Sequence, residues 1–213
     1  NMVGPAPELP VTLGANVPKM NNADMQSTGF ELDLGWRDRI KDFDYSVHLL
    51  LSDDRQKILK YPNTTGKINT WYVGKYNGDI WGFETIGIAK SQEEMDAHLA
   101  SLPNGGQDAL GVKWGAGDIM YRDLNGDGKI SDGATLNDPG DKKVIGNTSP
   151  RFRFGLDLNA SWKGIDVRLF FQGVAKRDAW LNDNMFWGAT GGIWQSACFT
   201  SHLDFFREEG DDF

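Results

Sequence analysis

The chain has 213 residues, a formal net charge of −8, 8 Trp, 12 Phe, 26 Gly and a single cysteine. An acidic chain offers no basic surface for displacing counterions from phosphates, which excludes nucleic acid as a partner. The lone Cys198 excludes an internal disulfide framework and a multi-cysteine metal centre, and it reads as an idle buried thiol.

No run of 18 apolar residues exists, so no transmembrane helix is expected, and the first residues do not read as a signal peptide. The start, Asn-Met-Val-Gly-Pro, and the end, Gly-Asp-Asp-Phe, read as cuts through a longer polypeptide. A mean hydropathy of −0.47 beside so many aromatics is what a β-barrel wall produces, because lipid-facing residues alternate with lumen-facing ones.

In chain order, the first element is a strand over residues 29–36. Phe30, Leu32, Leu34 and Trp36 alternate with Glu31, Asp33 and Gly35, a strict period of two. A polar turn, Arg37 to Asp42, leads into residues 43–51, where Phe43, Tyr45, Val47, Leu49 and Leu51 oppose Asp44, Ser46 and His48. Together they predict an antiparallel hairpin. Lys67 to Phe83, rich in Gly, Trp and Tyr, reads as short strands or turns. Ser91-Gln-Glu-Glu94 is a capping box, and Met95, Leu99 and Leu102 follow at helical spacing until Pro103-Asn-Gly-Gly106. A three-turn surface helix is expected there.

Residues 123–130, Asp-Leu-Asn-Gly-Asp-Gly-Lys-Ile, carry the strongest chemical signal. Asp123, Asn125 and Asp127 place side-chain oxygens at alternate positions, Gly128 permits a sharp turn, and the Lys129 carbonyl falls where a backbone ligand is needed. Ca²⁺ takes 6–8 oxygens, and this spacing delivers four or five from one turn. Position 12 of the helix-flanked version of this loop is a Glu, and here it is Ala134. Asp132, Asp138 or Asp141 must therefore supply the last carboxylate of a structural Ca²⁺ site. The competing reading is a metal-free turn rich in Asn, Asp and Gly.

The second hairpin is clearer. Phe152, Phe154, Leu156, Leu158, Ala160 and Trp162 oppose Arg151, Arg153, Gly155, Asp157, Asn159 and Ser161. A two-residue turn, Lys163-Gly164, leads to Ile165, Val167, Leu169 and Phe171 opposite Asp166, Arg168 and Gln172. Each strand has the ~9–11 residues that a tilted strand needs to cross a bilayer. A soluble β-sandwich alternates in the same way. Loop asymmetry favours the barrel: two short turns stand against the long stretch 52–150, as outer-membrane barrels set short periplasmic turns against long outer loops. Downstream, Trp180, Phe186, Trp187 and Trp194 gather. Trp187 and Trp194 are candidates for stacking on a sugar, with an interfacial girdle or loop packing as the alternative.

Taken together, Gly117 to Ile130, Val144 to Gly155 and Ala160 to Val174 resemble the C-terminal part of SusC/RagA-type TonB-linked outer-membrane transporters. Pro18-Lys-Met-Asn-Asn and Thr28 to Asp38 resemble a further stretch of that family. The resemblance runs in order from about Leu9 to Asp178. It implies an all-β fold: residues 1–213 as an antiparallel segment of a large transmembrane barrel, with 52–150 as an extracellular loop region, the Ca-type loop at 123–141 and one short helix. It also implies the cell outer membrane, contact with its lipid, uptake of oligosaccharides or peptides, and a SusD-like surface lipoprotein partner. By the same resemblance, the plug, the segment that meets the TonB complex and the last strands are expected to lie outside this sequence.

No catalytic constellation emerges, so no enzyme is expected. His48, His98 and His202 are scattered, and Gly188-Ala-Thr-Gly-Gly192 lacks the Lys-Ser/Thr of a phosphate loop. The competing functions are a secreted calcium-stabilised β-sandwich for adhesion or carbohydrate binding, and a polysaccharide-degrading enzyme. A dockerin-like module would need the Asp-x-Asn-x-Asp-Gly loop twice, and it occurs once.

Overall fold

A computed structural model describes residues 2–4, 19–181 and 199–207. Phe186, Trp187, Trp194, Cys198 and the glycine-rich stretch 188–192 lie outside them. The chain divides into two compact units, Asn1–Ile80 with Gly146–Asp178, and Trp81–Ile145 with Ala179–Phe213.

The first unit is an antiparallel sheet. Its strands are β1 (Met2–Gly4), β2 (Met20–Ile40), β3 (Phe43–Lys60), β8 (Arg151–Trp162) and β9 (Ile165–Lys176), in the order β1-β2-β3-β8-β9. Both expected hairpins form. The first is longer than the alternation indicated: β2 runs on through Arg37–Ile40, and the turn shrinks to Lys41-Asp42, with Lys41 at φ 56°. Polar residues of 37–40 keep the ladder because their partners in β3 do, Arg37 opposite Ser46 and Arg39 opposite Asp44. In the second hairpin Lys163 and Gly164 both take positive φ, 47° and 85°. That is the mirror-image turn whose twist suits a two-residue connection.

Register stacks the apolar residues in rows. Leu34, Leu49, Leu156 and Phe171 form one row across four strands, and Trp36, Val47, Leu158 and Leu169 the next. The other face sets Gly35, His48, Asp157 and Phe170 in one row and Arg37, Ser46, Asn159 and Arg168 in another. The apolar rows are not packed away: Trp36 is 64% exposed and Phe171 51%. A sandwich would bury these side chains between its sheets; here they face outward. No helix among the described residues is long and apolar enough to cross a membrane.

Between β3 and β8 the chain makes a long excursion, leaving from the end of the sheet opposite the two short turns. β3 runs on to Lys60, so the first residues beyond Leu51 are strand. Residues 74–77 then pair back on β3, with Ile58 N–H donating to the Lys75 carbonyl (2.9 Å) and Asn77 N–H to the Gln56 carbonyl (2.8 Å). Two short strands, β4 (Asp79–Phe83) and β7 (Lys142–Asn147), pair at the base of the excursion.

The second unit has its own small core. β5 (Thr85–Ile88) pairs with β6 (Ile119–Tyr121), and α1 (Gln92–Ala100) lies between them in sequence. Ser91 caps α1, its side chain accepting from Glu94 N–H at 3.3 Å. The Glu94 carboxylate accepts from Lys90 N–H at 2.7 Å, one residue before the position a capping box uses. The helix is shorter than the three turns expected, because Ser101 already closes it through bonds to Ala97 and His98.

Met95, fully buried, packs with Ala89 and Met120, flanked by Leu99 and Trp114. Met95→Ala is expected to cost about 2–5 kcal/mol within this unit. Faster hydrogen exchange at the Ala89 amide, which bonds the Asp118 carbonyl, would show it. Gln107 is buried too, and it is satisfied like a strand edge. Its Oε1 accepts from Tyr121 N–H (2.7 Å), and its Nε2 donates to the Ile119 carbonyl (3.1 Å).

Glu84 joins three elements, pairing with Lys143 and, at 3.4 Å, with Arg122. The Lys143 hydrogen bond holds its carboxyl below the ordinary glutamate range, against desolvation, with Arg122 assisting. A depressed folded-state pKa contributes stability above the unfolded value and loses it as pH falls through the folded one. Acidification is therefore expected to loosen this junction in wild type, and Glu84→Gln to flatten that part of the pH profile. Limited proteolysis between about pH 3 and 7 reads it.

Candidate functional site

The loop 123–141 lies in the second unit, docked on the turn that ends α1. Asn104 N–H donates to the Gly128 carbonyl (2.9 Å), Asn104 Nδ2 to the Asp127 carbonyl (2.6 Å) and Ile130 N–H to the Gly106 carbonyl (2.7 Å). Ile130 is 1% exposed and anchors the loop. Gly126 and Gly128 take φ of 75° and 78°, a region L side chains avoid.

Those two glycines turn their N–H groups onto Asp123. Its Oδ1 accepts from Gly126 (2.6 Å) and its Oδ2 from Gly128 (2.8 Å). Asn125 Oδ1 accepts from Asp127 N–H (2.9 Å), and Asp127 Oδ1 from Lys129 N–H (3.1 Å). Asn125 Nδ2 donates to the second Asp127 oxygen at 3.2 Å.

The three candidate closing carboxylates separate clearly. Asp132 is ion-paired to Lys142, its side chain 56% exposed. Asp138 is exposed and bonds locally to Gly140 N–H at 3.4 Å. Asp141 alone enters the loop, fully buried. Its Oδ1 accepts from Leu124 N–H (2.8 Å) and Asn125 N–H (3.4 Å), and its Oδ2 from Ser131 N–H (2.7 Å) and Oγ (3.2 Å). Asp141 also comes within side-chain hydrogen-bonding reach of Asp123. Burial raises the Asp123 pKa, but the N–H groups of Gly128, Gly126 and Asp127 and the contact with Asp141 outweigh it and hold the carboxyl below the usual range. Among the described residues no three His, Cys, Asp or Glu side chains gather as a metal cluster. Any cation here must draw on Asn125 and backbone oxygens as well as carboxylates.

The sheet carries its own polar array. His48 Nε2 lies 2.6 Å from Asp33. Arg168 grips Asp157 at 2.5 and 3.1 Å, and Asn159 bridges Ser46 and Asp157. Near the end from which the excursion leaves, Asp53 holds Arg151 through two bonds of 2.5 Å and accepts from Phe152 N–H at 3.3 Å. Phe152 itself takes φ 52° and stands outside the ladder register. Sequence reading missed the Asp53–Arg151 pair, because the two are nearly a hundred positions apart and neither sits in a motif.

An open antiparallel sheet, apolar and exposed on one side and polar on the other, defines the class: a segment of β-barrel wall. No family model matches the chain. It is 30% identical over 178 residues to TonB-dependent receptor P26 of Formosa agariphila, and 24% identical over 178 residues to TonB-dependent receptor P3 of the same organism. Those alignments cover 78% and 77% of this chain and 16% of each relative, so the chain spans about a sixth of the proteins it matches. In fold it is similar to a chain in the structure of the RagAB peptide transporter, with a TM-score of 0.56 and 20% identity over 94% of this chain and 20% of that one. The chain is similar to a segment of the TonB-dependent receptors of SusC/RagA type, and its fold is that of their barrel wall. These relatives are receptors and a transporter rather than enzymes.

Proposed function

We propose that this chain supplies part of the barrel and of the external vestibule of a TonB-dependent importer in the cell outer membrane. The carrying observation is the exposed apolar face. From the row of Ile40 and Phe43 to the row of Phe30 the apolar face covers about 25 Å at ordinary strand tilt, the height of the apolar band on such barrels. The cargo is a nutrient, either an oligosaccharide or a peptide; a peptide is what the RagAB transporter carries by name. A SusD-like lipoprotein covers the vestibule, and the TonB complex engages parts of the receptor beyond this segment. Trp187 and Trp194 remain candidates for sugar contact. Purification of the full-length receptor in detergent, followed by mass spectrometry of what accompanies it, is the test. A water-soluble protein carrying neither lipid nor lipoprotein would sink the reading.

The spacing of the loop supports a structural Ca²⁺ that would draw Asp123, Asn125, Asp127, the Lys129 carbonyl and Asp141 together as its ligands. What favours Asp141 over Asp132 and Asp138 is its burial against Leu124, Asn125 and Ser131, inside the loop that Asp123 opens. Bound there, Ca²⁺ would tie 123–131 to 141. Calorimetry on the full-length receptor is expected to show one site that Asp123→Ala removes and that Asp138→Ala leaves intact. Equal binding by wild type and Asp123→Ala would reject it.

A further inference from the structure

Above the apolar band, the same face of the sheet turns cationic. Continuing the period of two beyond Leu51 places Asp53, Arg55 and Lys57 of β3 opposite Phe30, Thr28 and Gln26 of β2. Tyr76, bridged to Lys57 from the other side, completes the row. The Arg55 guanidinium lies 5.1 Å and the Lys57 ammonium 5.8 Å from the centroid of the Tyr76 ring. Both cations are exposed, and among the described residues neither has a carboxylate within ion-pair distance. Asp53, the acid of that row, is already taken by Arg151. A hollow of about 510 Å³ opens between Gln26, Thr28, Gly29, Phe30, Arg55, Lys57 and Tyr76, with the Arg151-paired Asp53 at its lower edge.

Height decides what this patch meets. Arg55 and Lys57 stand two and four residues past the row of Phe30, the last apolar residue of the face, about 5 and 10 Å above the apolar band at ordinary strand rise and tilt. That is the polar head-group layer, where amphipathic rings such as Tyr76 also settle. The patch is continuous with the lipid-facing wall, and it offers two unpaired cations on a chain of net charge −8. A negatively charged membrane surface would otherwise repel such a chain.

We propose that Arg55 and Lys57, braced on Tyr76, bind the phosphate groups of anionic lipid in the outer leaflet. Lipid phosphate would seat in the hollow while its acyl chains run down past Phe30 and Leu32. The assignment rests on the outer-membrane reading above.

The test uses the full-length receptor in non-ionic detergent, supplied with bisphosphorylated lipid A and assayed by native mass spectrometry. Each surface cation contributes roughly a factor of five toward an anionic membrane, so the double variant R55Q/K57Q is expected to lose lipid about 30-fold. Arg55→Lys is expected to retain it, and dephosphorylated lipid A to bind wild type and double variant alike. Heat-dependent gel migration confirms that each variant barrel is folded. Equal retention by wild type and R55Q/K57Q overturns the proposal. So does complete displacement of the lipid by millimolar inorganic phosphate, which would mark a general anion site. A receptor that is water-soluble and lipid-free fails the barrel reading itself; a folded barrel indifferent to these cations fails this inference alone.

Discussion

Leu156→Arg in the full-length receptor is expected to destabilise the barrel by about 2–4 kcal/mol, the cost of a cation near the bilayer midplane. Leu156 lies in the middle row of the apolar face, between Leu49 and Phe171, where neither rim is within easy reach of a long side chain. The control is Gln172→Arg. Gln172 pairs with Gly155 on the opposite, polar face, and there the same cation should change stability by no more than about 0.5 kcal/mol. Urea unfolding in micelles, followed by Trp fluorescence, measures both. Equal effects of the two substitutions would mean that the faces are not divided between lipid and lumen.

Asp141→Ala is the second large effect expected, upwards of about 3 kcal/mol, because it orphans four donors at once. The N–H groups of Leu124, Asn125 and Ser131 and the Ser131 hydroxyl all lose their acceptor in a site where Asp141 is fully buried. Asp141→Asn keeps one carbonyl oxygen and should recover part of the loss. Hydrogen exchange at Leu124 and Ser131 reports it, with exposed Asp138→Ala as the neutral comparison. An Asp141→Ala receptor with unchanged protection at those amides would show that the loop is held by the Asn104 and Gly106 contacts alone.

The hairpins were legible because each strand carries its own evidence. Alternation of apolar and polar residues over ten positions is local. A one-residue slip of β8 would turn Phe154, Leu156 and Leu158 to the wrong face together. The helix was legible for the same reason, through Ser91 and the spacing of Met95 and Leu99. The first turn was misplaced because Arg37 to Ile40 look like loop in isolation; only pairing with Asp44 and Ser46 keeps them in the ladder.

In the loop, spacing within a single turn was enough to mark Asp123, Asn125, Asp127 and the glycines, since their chemistry depends on near neighbours along the chain. Which of Asp132, Asp138 and Asp141 joins them was a tertiary matter. The chain must double back through the Asp132–Gly140 bridge before Asp141 meets Leu124 and Ser131. The pairing of β3 with β8, the Asp53–Arg151 clamp and the Arg55–Lys57–Tyr76 row likewise emerged only with the fold. Each joins residues from separate strands or loops, and no local period records which distant strand will be the neighbour.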